Sequence, residues 1–262
     1  MQLWIQEWKQ NRKSFLVWSI LVGLFCLLCL LMYDSMGDKV QEMSGMFSEL
    51  GDFSVALGMD KISIGTLQGY YAIEISLIFS LGGAMYAAFL GSSLVAKEEE
   101  GHTGEFLVTL PLGRGRIIFE KYLSMISLFA AFHVIGLLFI RLGFAWMGET
   151  VQENYFWTYH LLAFLMNLEI GSICFCASAF LKKKPVGAVM CAAVLFYVAD
   201  ILCRVVPALE FLKFLTPFYY CNATDIFSGE PVKLLYPVLS MIITVIFFVV
   251  ADIVYTKRDL AA

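Results

Sequence analysis

Six mostly apolar stretches, each 19 residues or longer, run from Phe15 to Tyr33, Tyr70 to Val95, Tyr122 to Met147, Phe156 to Leu181, Pro185 to Val206 and Leu234 to Tyr255. A helix of about 20 such residues crosses the hydrocarbon of a bilayer. Composition agrees with a membrane solvent. With 60% hydrophobic and 15% charged residues and a mean hydropathy of +0.78, too little polar surface remains to face water. The net charge of -4 lacks the basic excess of a nucleic-acid binder. Lys9, Arg12 and Lys13 precede the first stretch as they would in a secretory signal. That stretch is long, however, and no small-x-small cleavage site follows, so it reads as a retained anchor.

The charges set a direction. With the N-terminus in the cytoplasm, twelve of the eighteen Lys and Arg fall inside: Lys9, Arg12, Lys13, Lys97, Arg114, Arg116, Lys121, Lys182, Lys183, Lys184, Lys257 and Arg258. Seven acids share that side, leaving +5 inside and -9 elsewhere within the chain's total of -4. This is the positive-inside distribution. The chain therefore reads as one all-α polytopic membrane domain, 1-262, with six transmembrane helices and both termini cytoplasmic.

Three flanking segments carry further expectations. Residues 1-13 interleave Leu3, Trp4 and Trp8 with charges, as in an interfacial helix on the cytoplasmic leaflet. The acidic outer loop 34-69 repeats Met43, Met46, Phe47, Leu50 and Phe53 at helical steps, predicting a short amphipathic helix. Residues 207-233 are too short and polar to cross, yet rich in Phe, Tyr and Leu, which predicts broken or re-entrant outer helices with an aromatic belt.

Several chemistries drop out. Five of the seven cysteines lie well inside the spans, and the Cys26-x-x-Cys29 pair has no second pair at zinc spacing, so they read as small packing residues, with an outer Cys203–Cys221 disulfide as a further option. The histidines, His102, His133 and His160, form no HExxH string, and His133 and His160 read as packed or interfacial rings. Phe129-x-x-x-His133 and Phe156-x-x-x-His160 match one fragment of intramembrane prenyl-protease-like families, but the Glu-Glu-x-x-x-Arg string those require is absent. No GxxxxGK[ST] loop is present, so any ATP is handled by another polypeptide.

The informative loop is AKEEEGHTGEFLVTLPLGRGRIIFEKYL, between the second and third spans. Glu98, Glu99 and Glu100 follow the membrane exit, Thr103 caps a short helix with Glu105 in its first turn, and Pro111 ends it. Phe106, Leu107 and Leu110 share one face beyond the bilayer, where an apolar face asks for a partner. Arg114, Arg116 and Lys121 follow as inner-leaflet anchors.

In this string the chain resembles the type 2 ATP-binding cassette (ABC) permease family, whose inner loop reads as an acidic stretch, Gly-Thr-x-Glu, a Leu-rich turn, Pro and Ser-Arg. The match uses Glu98, Glu99, Glu100, Gly101, Thr103, Glu105, Phe106, Leu107, Leu110, Pro111 and Arg114. Lys257-Arg258-Asp259-Leu260 is similar to the family's closing string, and Leu215-Thr216-Pro217-Phe218 leading to Ile226, Phe227 and Gly229 is similar to its pattern before the last span. The chain departs where His102 separates Gly101 from Thr103 and where Gly113 precedes Arg114.

The resemblance implies that 97-116 holds a coupling helix docking on a separate cytoplasmic ABC ATPase, which would bind the ATP and magnesium. This chain would hold no nucleotide-binding domain, no catalytic residue and no cofactor. Phe106, Leu107 and Leu110 would be the buried anchors, with Glu98, Glu99, Glu100 and Glu105 facing basic groups on the partner's rim. A second permease subunit, identical or a sister chain, a bacterial plasma membrane and outward transport follow by the same resemblance. The alternative reading is an ATP-independent transporter or a membrane scaffold, although no internal repeat is visible.

Within the spans, Ala72, Ser76, Ser80, Ala84, Ala88, Ser92 and Ala96 recur every four residues, beside Gly83, Ala87 and Gly91. Small residues let helices approach, so this row reads as a packing or dimer face. Glu169 sits mid-span, where a charge needs a reason: protonation, pairing with Arg141, or a place on the translocation path. Asp200 and Arg204, four apart, read as a local pair, and Glu74 and Asp252 lie near opposite interfaces.

Overall fold

The computed structural model describes residues 2–48, 51–101, 112–181 and 183–257, and every regular element among them is helical. Six helices are long and apolar enough to span a membrane. Their spanning parts are Leu3–Met36, Leu67–Leu94, Arg114–Met147, Glu153–Phe180, Val186–Val205 and Leu235–Lys257. The boundaries follow local chemistry. The Thr66 hydroxyl accepts the Gly69 amide at 3.0 Å to start the second span, and Gly148, at φ 71°, takes the left-handed turn that ends the third.

The first helix is longer than its hydropathy suggests. It runs unbroken from Gln2 to Ser48, so the segment expected to lie flat on the leaflet and the first half of the outer loop both continue the first span. No proline interrupts these 47 residues, and polar side chains alone do not stop a helix. A short helix, Asp52–Leu57, follows it.

The second and fourth spans form the centre. Of their most apolar windows 61% and 67% is buried, against 22% for the fifth and sixth. The central pair is close-packed through glycine: a Cβ on Gly91 would stand 2.4 Å from the Gly171 carbonyl oxygen. Along the length of these spans Tyr71, Phe79, Tyr86, Phe129, Tyr159 and Phe175 fill the interior with fully buried rings. Two buried phenols are satisfied internally, Tyr159 donating to the Ser76 carbonyl at 2.8 Å and Tyr122 pairing with Ser172 at 2.7 Å.

Residues 207-233 break into two 3-10 pieces, Pro207–Phe214 and Tyr219–Cys221, and a short helix, Ala223–Phe227, capped by the Asn222 side chain. All seven cysteines are free thiols. The Cys203–Cys221 disulfide is therefore not formed, and Cys203 Sγ instead donates to the Asp200 carbonyl at 3.1 Å.

Candidate functional site

Alternation of six spans brings Gln2, the loop root Ala96–Glu100, Lys184 and Lys257 to one end of the bundle. Side chains join them there. Glu100 reaches Lys184 at 3.4 Å, and the Arg114 guanidinium donates to the Thr256 carbonyl at 3.1 Å. The root of the loop after the second span, Ala96–Glu100, is tied most strongly.

Its anchor is Lys121, on the third span and 0% exposed. The three ammonium donors are all used: on Glu7 Oε1 at 2.6 Å, Glu98 Oε1 at 2.8 Å and the Leu94 carbonyl at 2.9 Å. Leu94 is the last residue of the second span, so the ammonium caps one of the carbonyls a helix end leaves unpaired. There the chain turns into Ala96–Glu100. Glu7, itself 1% exposed, also binds Lys97, whose ammonium reaches Gln10 at 2.6 Å. Burial and the nearby Lys121 charge pull the Lys97 ammonium below its usual range, against the pull of Glu7. Two carboxylates and two ammoniums thus neutralise one another where the first, second and third spans meet. Such a buried set holds only while complete, because each charge left alone is costly.

This geometry corrects one expectation. Lys121 is not a leaflet anchor; it is enclosed by the chain. Glu98, 14% exposed on its side chain, pairs with Lys121, and Glu100 pairs with Lys184. Gly101 caps the short helix with its amide on the Lys97 carbonyl. The residues Thr103, Glu105, Phe106, Leu107, Leu110 and Pro111 lie outside the described residues.

The N-terminal tryptophans belong to the same joint. Trp4 and Trp8 Nε1 both donate to Ser127 Oγ on the third span, at 3.0 and 2.8 Å, and the Trp4 amide donates to Glu120 Oε2 at 3.3 Å. Their interleaving with charges is legible in the sequence. The partner helix they face is not.

The row Ser76, Ser80, Ala84, Ala88 and Ser92 is buried throughout within this one chain, as are Ala72 and Ala96. Gly83 of the neighbouring row faces Asn167 of the fourth span, and Ser76 and Ser80 line a cleft of about 50 Å³ with Tyr197 and Asp200 of the fifth. These small residues form an internal contact and present no face to a second subunit. What the second span leaves open is elsewhere: an apolar groove of about 730 Å³ against the first span, between Trp18, Phe25, Leu28, Ile78, Leu81 and Met85.

At the opposite end, Arg204 holds the broken segment. It donates to Asp200 Oδ1 at 3.0 Å, as the four-residue spacing predicts, and also to Asp225 Oδ2 at 2.8 Å and the Tyr219 carbonyl at 3.1 Å. Lys61 closes the set on Asp225 at 2.7 Å and Glu230 at 2.9 Å. Burial pulls the Lys61 ammonium down, but its bonds to these two acids outweigh that and leave it raised.

Glu169 does not pair with Arg141. Arg141 forms a two-pronged bond to Glu153, 2.5 Å on each arm, and covers the Phe156 ring at 4.3 Å. Glu153 is only twelve residues away and at the same end of the bundle, whereas Glu169 lies deep in the fourth span. Its carboxylate accepts instead from Tyr220 of the broken segment at 3.1 Å. His160 and His133 are packed rings, His160 bonded to the Tyr71 hydroxyl at 2.7 Å and His133 to the Phe129 carbonyl at 3.2 Å.

A family model described as ABC-2 family transporter protein matches residues 1–260 of the chain. No curated protein matches it.

Proposed function

The chain belongs to the ABC-2 family of transporter proteins, and on that premise we propose that it is a permease subunit whose spans are driven by a separate ATPase seated on the loop after the second span. The observation that carries this reading is the buried joint at that loop's root. A force applied to the loop reaches Ala96–Glu100, and Lys121 passes it to the first, second and third spans together through Glu7, Leu94 and Glu98. A loop hung on one span end would move that span alone. Rigid transfer into several packed helices is what a two-state change of the bundle requires.

In this reading the terminus-bearing end is cytoplasmic, as the basic excess there favours. Thr103, Glu105, Phe106, Leu107, Leu110, Pro111 and Arg114 form and flank the docking element, and the acidic run Glu98, Glu99 and Glu100 stands beside it at the loop's root. ATP and magnesium sit on the partner. A second permease subunit completes the unit through a face other than the small-residue row, and the exposed apolar surfaces of the first, fifth and sixth spans meet lipid or that subunit. Export across a bacterial plasma membrane is the direction the family resemblance favours.

The test is co-purification. With the ATPase co-expressed, Phe106→Ala, Leu107→Ala and Leu110→Ala together are expected to abolish its capture by the tagged permease, because buried anchors dominate such interfaces at about 2 kcal/mol or more each. The variant should still elute as a single folded species. Undiminished capture would place the docking surface elsewhere.

A further inference from the structure

Glu169 is buried deep in the fourth span at 4% exposure, and the group bonded to it is a hydroxyl rather than a cation. The Tyr220 hydroxyl donates to Glu169 Oε2 at 3.1 Å and shares a 2.8 Å hydrogen bond with Ser240 of the sixth span. The three side chains come from three elements: the fourth span, the sixth span, and the broken segment that packs between them. A cavity of about 10 Å³ beside them, lined also by Thr216, Pro217 and Tyr236, has no room for a hydrated ion.

The charged and titratable groups on the surrounding elements are committed elsewhere. Lys213 lines the same cavity but is bonded to Glu210 at 2.5 Å. Arg141 of the third span is held by Glu153, Arg204 of the fifth by Asp200 and Asp225, and His160 by Tyr71. Glu74 of the second span is half-buried near the start of that helix, and the Tyr236 ring packs against Phe214 and edge-on to Tyr219. Among the described residues no ion pair reaches Glu169. A lone carboxylate at that depth is costly, by about 2.5 to 3.5 kcal/mol even on insertion scales, whereas a neutral acid is satisfied by the hydroxyls already present.

We propose that Glu169 is a proton-binding site, and that Glu169, Tyr220 and Ser240 form a latch that holds Thr216–Cys221 against the fourth and sixth spans while the proton is bound. Loss of the proton to water leaves a carboxylate that draws water into the cavity, and the segment swings away. Opening of the outer end then follows external pH, with or without an ATPase. The proposal does not depend on the transport reading.

Cys221, next to the latch and 3% exposed, is a native reporter. In a variant retaining Cys221 as its only cysteine, reconstituted in lipid nanodiscs, the rate of labelling by a membrane-impermeant maleimide is measured against pH. The same protein with Glu169→Gln, a permanently neutral isostere, corrects for the thiol's own titration. The ratio of the two rates should rise about tenfold towards alkaline pH, since one pH unit past the transition changes the open population by that factor. Tyr220→Phe should label fast already at neutral pH. A ratio that stays at one across the range overturns the latch, whether both rates are slow or both fast. If Glu169→Gln does not fold, a protonated-carboxyl infrared band in the wild type at neutral pH, shifted by Glu169→Asp, supports the proposal, and absence of the band overturns it.

Discussion

Lys121→Met is expected to be among the most destabilising single substitutions in this chain. Methionine keeps the length of the stem but removes the one group on which Glu7 Oε1, Glu98 Oε1 and the Leu94 carbonyl converge. Among the described residues Glu7 is then left with Lys97 as its cation, at 1% exposure and on the buried side of the first span. Breaking a buried charge set by removing one partner costs about 3–5 kcal/mol. The measurement is the midpoint of reversible unfolding in detergent. Adding Glu7→Gln and Glu98→Gln should recover a large part of the loss, because the stranded charges disappear with their partner. Lys184→Ala, which removes the half-exposed bond to Glu100, should stay within about 1 kcal/mol of wild type. If Lys121→Met matches Lys184→Ala, the joint does not carry the load assigned to it, and the proposed route from loop to bundle fails with it.

The spans were legible because hydrocarbon imposes one strong rule on length and composition. Tyr70 to Val95 is found as Leu67–Leu94, and Phe156 to Leu181 as Glu153–Phe180, shifts of at most three residues. The first helix outruns its apolar stretch for a physical reason. Hydropathy detects where a helix meets lipid, not where it ends, and nothing between Asp34 and Ser48 breaks the backbone pattern. The site was less legible because its contacts are remote. Glu7 and Lys121 lie 114 positions apart, and no spacing rule links them. Lys121 reads as a leaflet anchor on any one-dimensional view, since its own neighbours, Arg114 and Arg116, are basic and near a membrane end. The usable signal was Glu7 itself, an acid set between two tryptophans whose indoles prove to face the third span. Arg141 shows the converse. The sequence suggests Glu169, deep in the fourth span, but Glu153, twelve residues on and at the same end of the bundle, holds it.

Replacing Gly91 should cost more than replacing any residue of the small row by one of similar added size, and the order among glycines is the informative result. An alanine Cβ at Gly91 would stand 2.4 Å from the Gly171 carbonyl oxygen and 3.1 Å from the Phe175 amide nitrogen, both backbone atoms of the fourth span. Neither can rotate away. The two central helices must part, and the aromatic packing around them parts with them, at about 1–3 kcal/mol for overpacking and more for Gly91→Leu. At Gly83 the same added carbon meets the Asn167 side-chain amide, also at 2.4 Å, but that group can turn, so Gly83→Ala should cost less. Gly187, in the fifth span, has nothing within 4 Å, and alanine there should be neutral or stabilising by up to about 1 kcal/mol through helix propensity. Unfolding midpoints of the three alanine variants in one detergent decide the order. Equal costs at Gly91 and Gly187 would mean that the second and fourth spans do not touch backbone to backbone. The central contact, with the burial of the small-residue row inside a single chain, would then have to be given up, and that row would return as a surface for a second subunit.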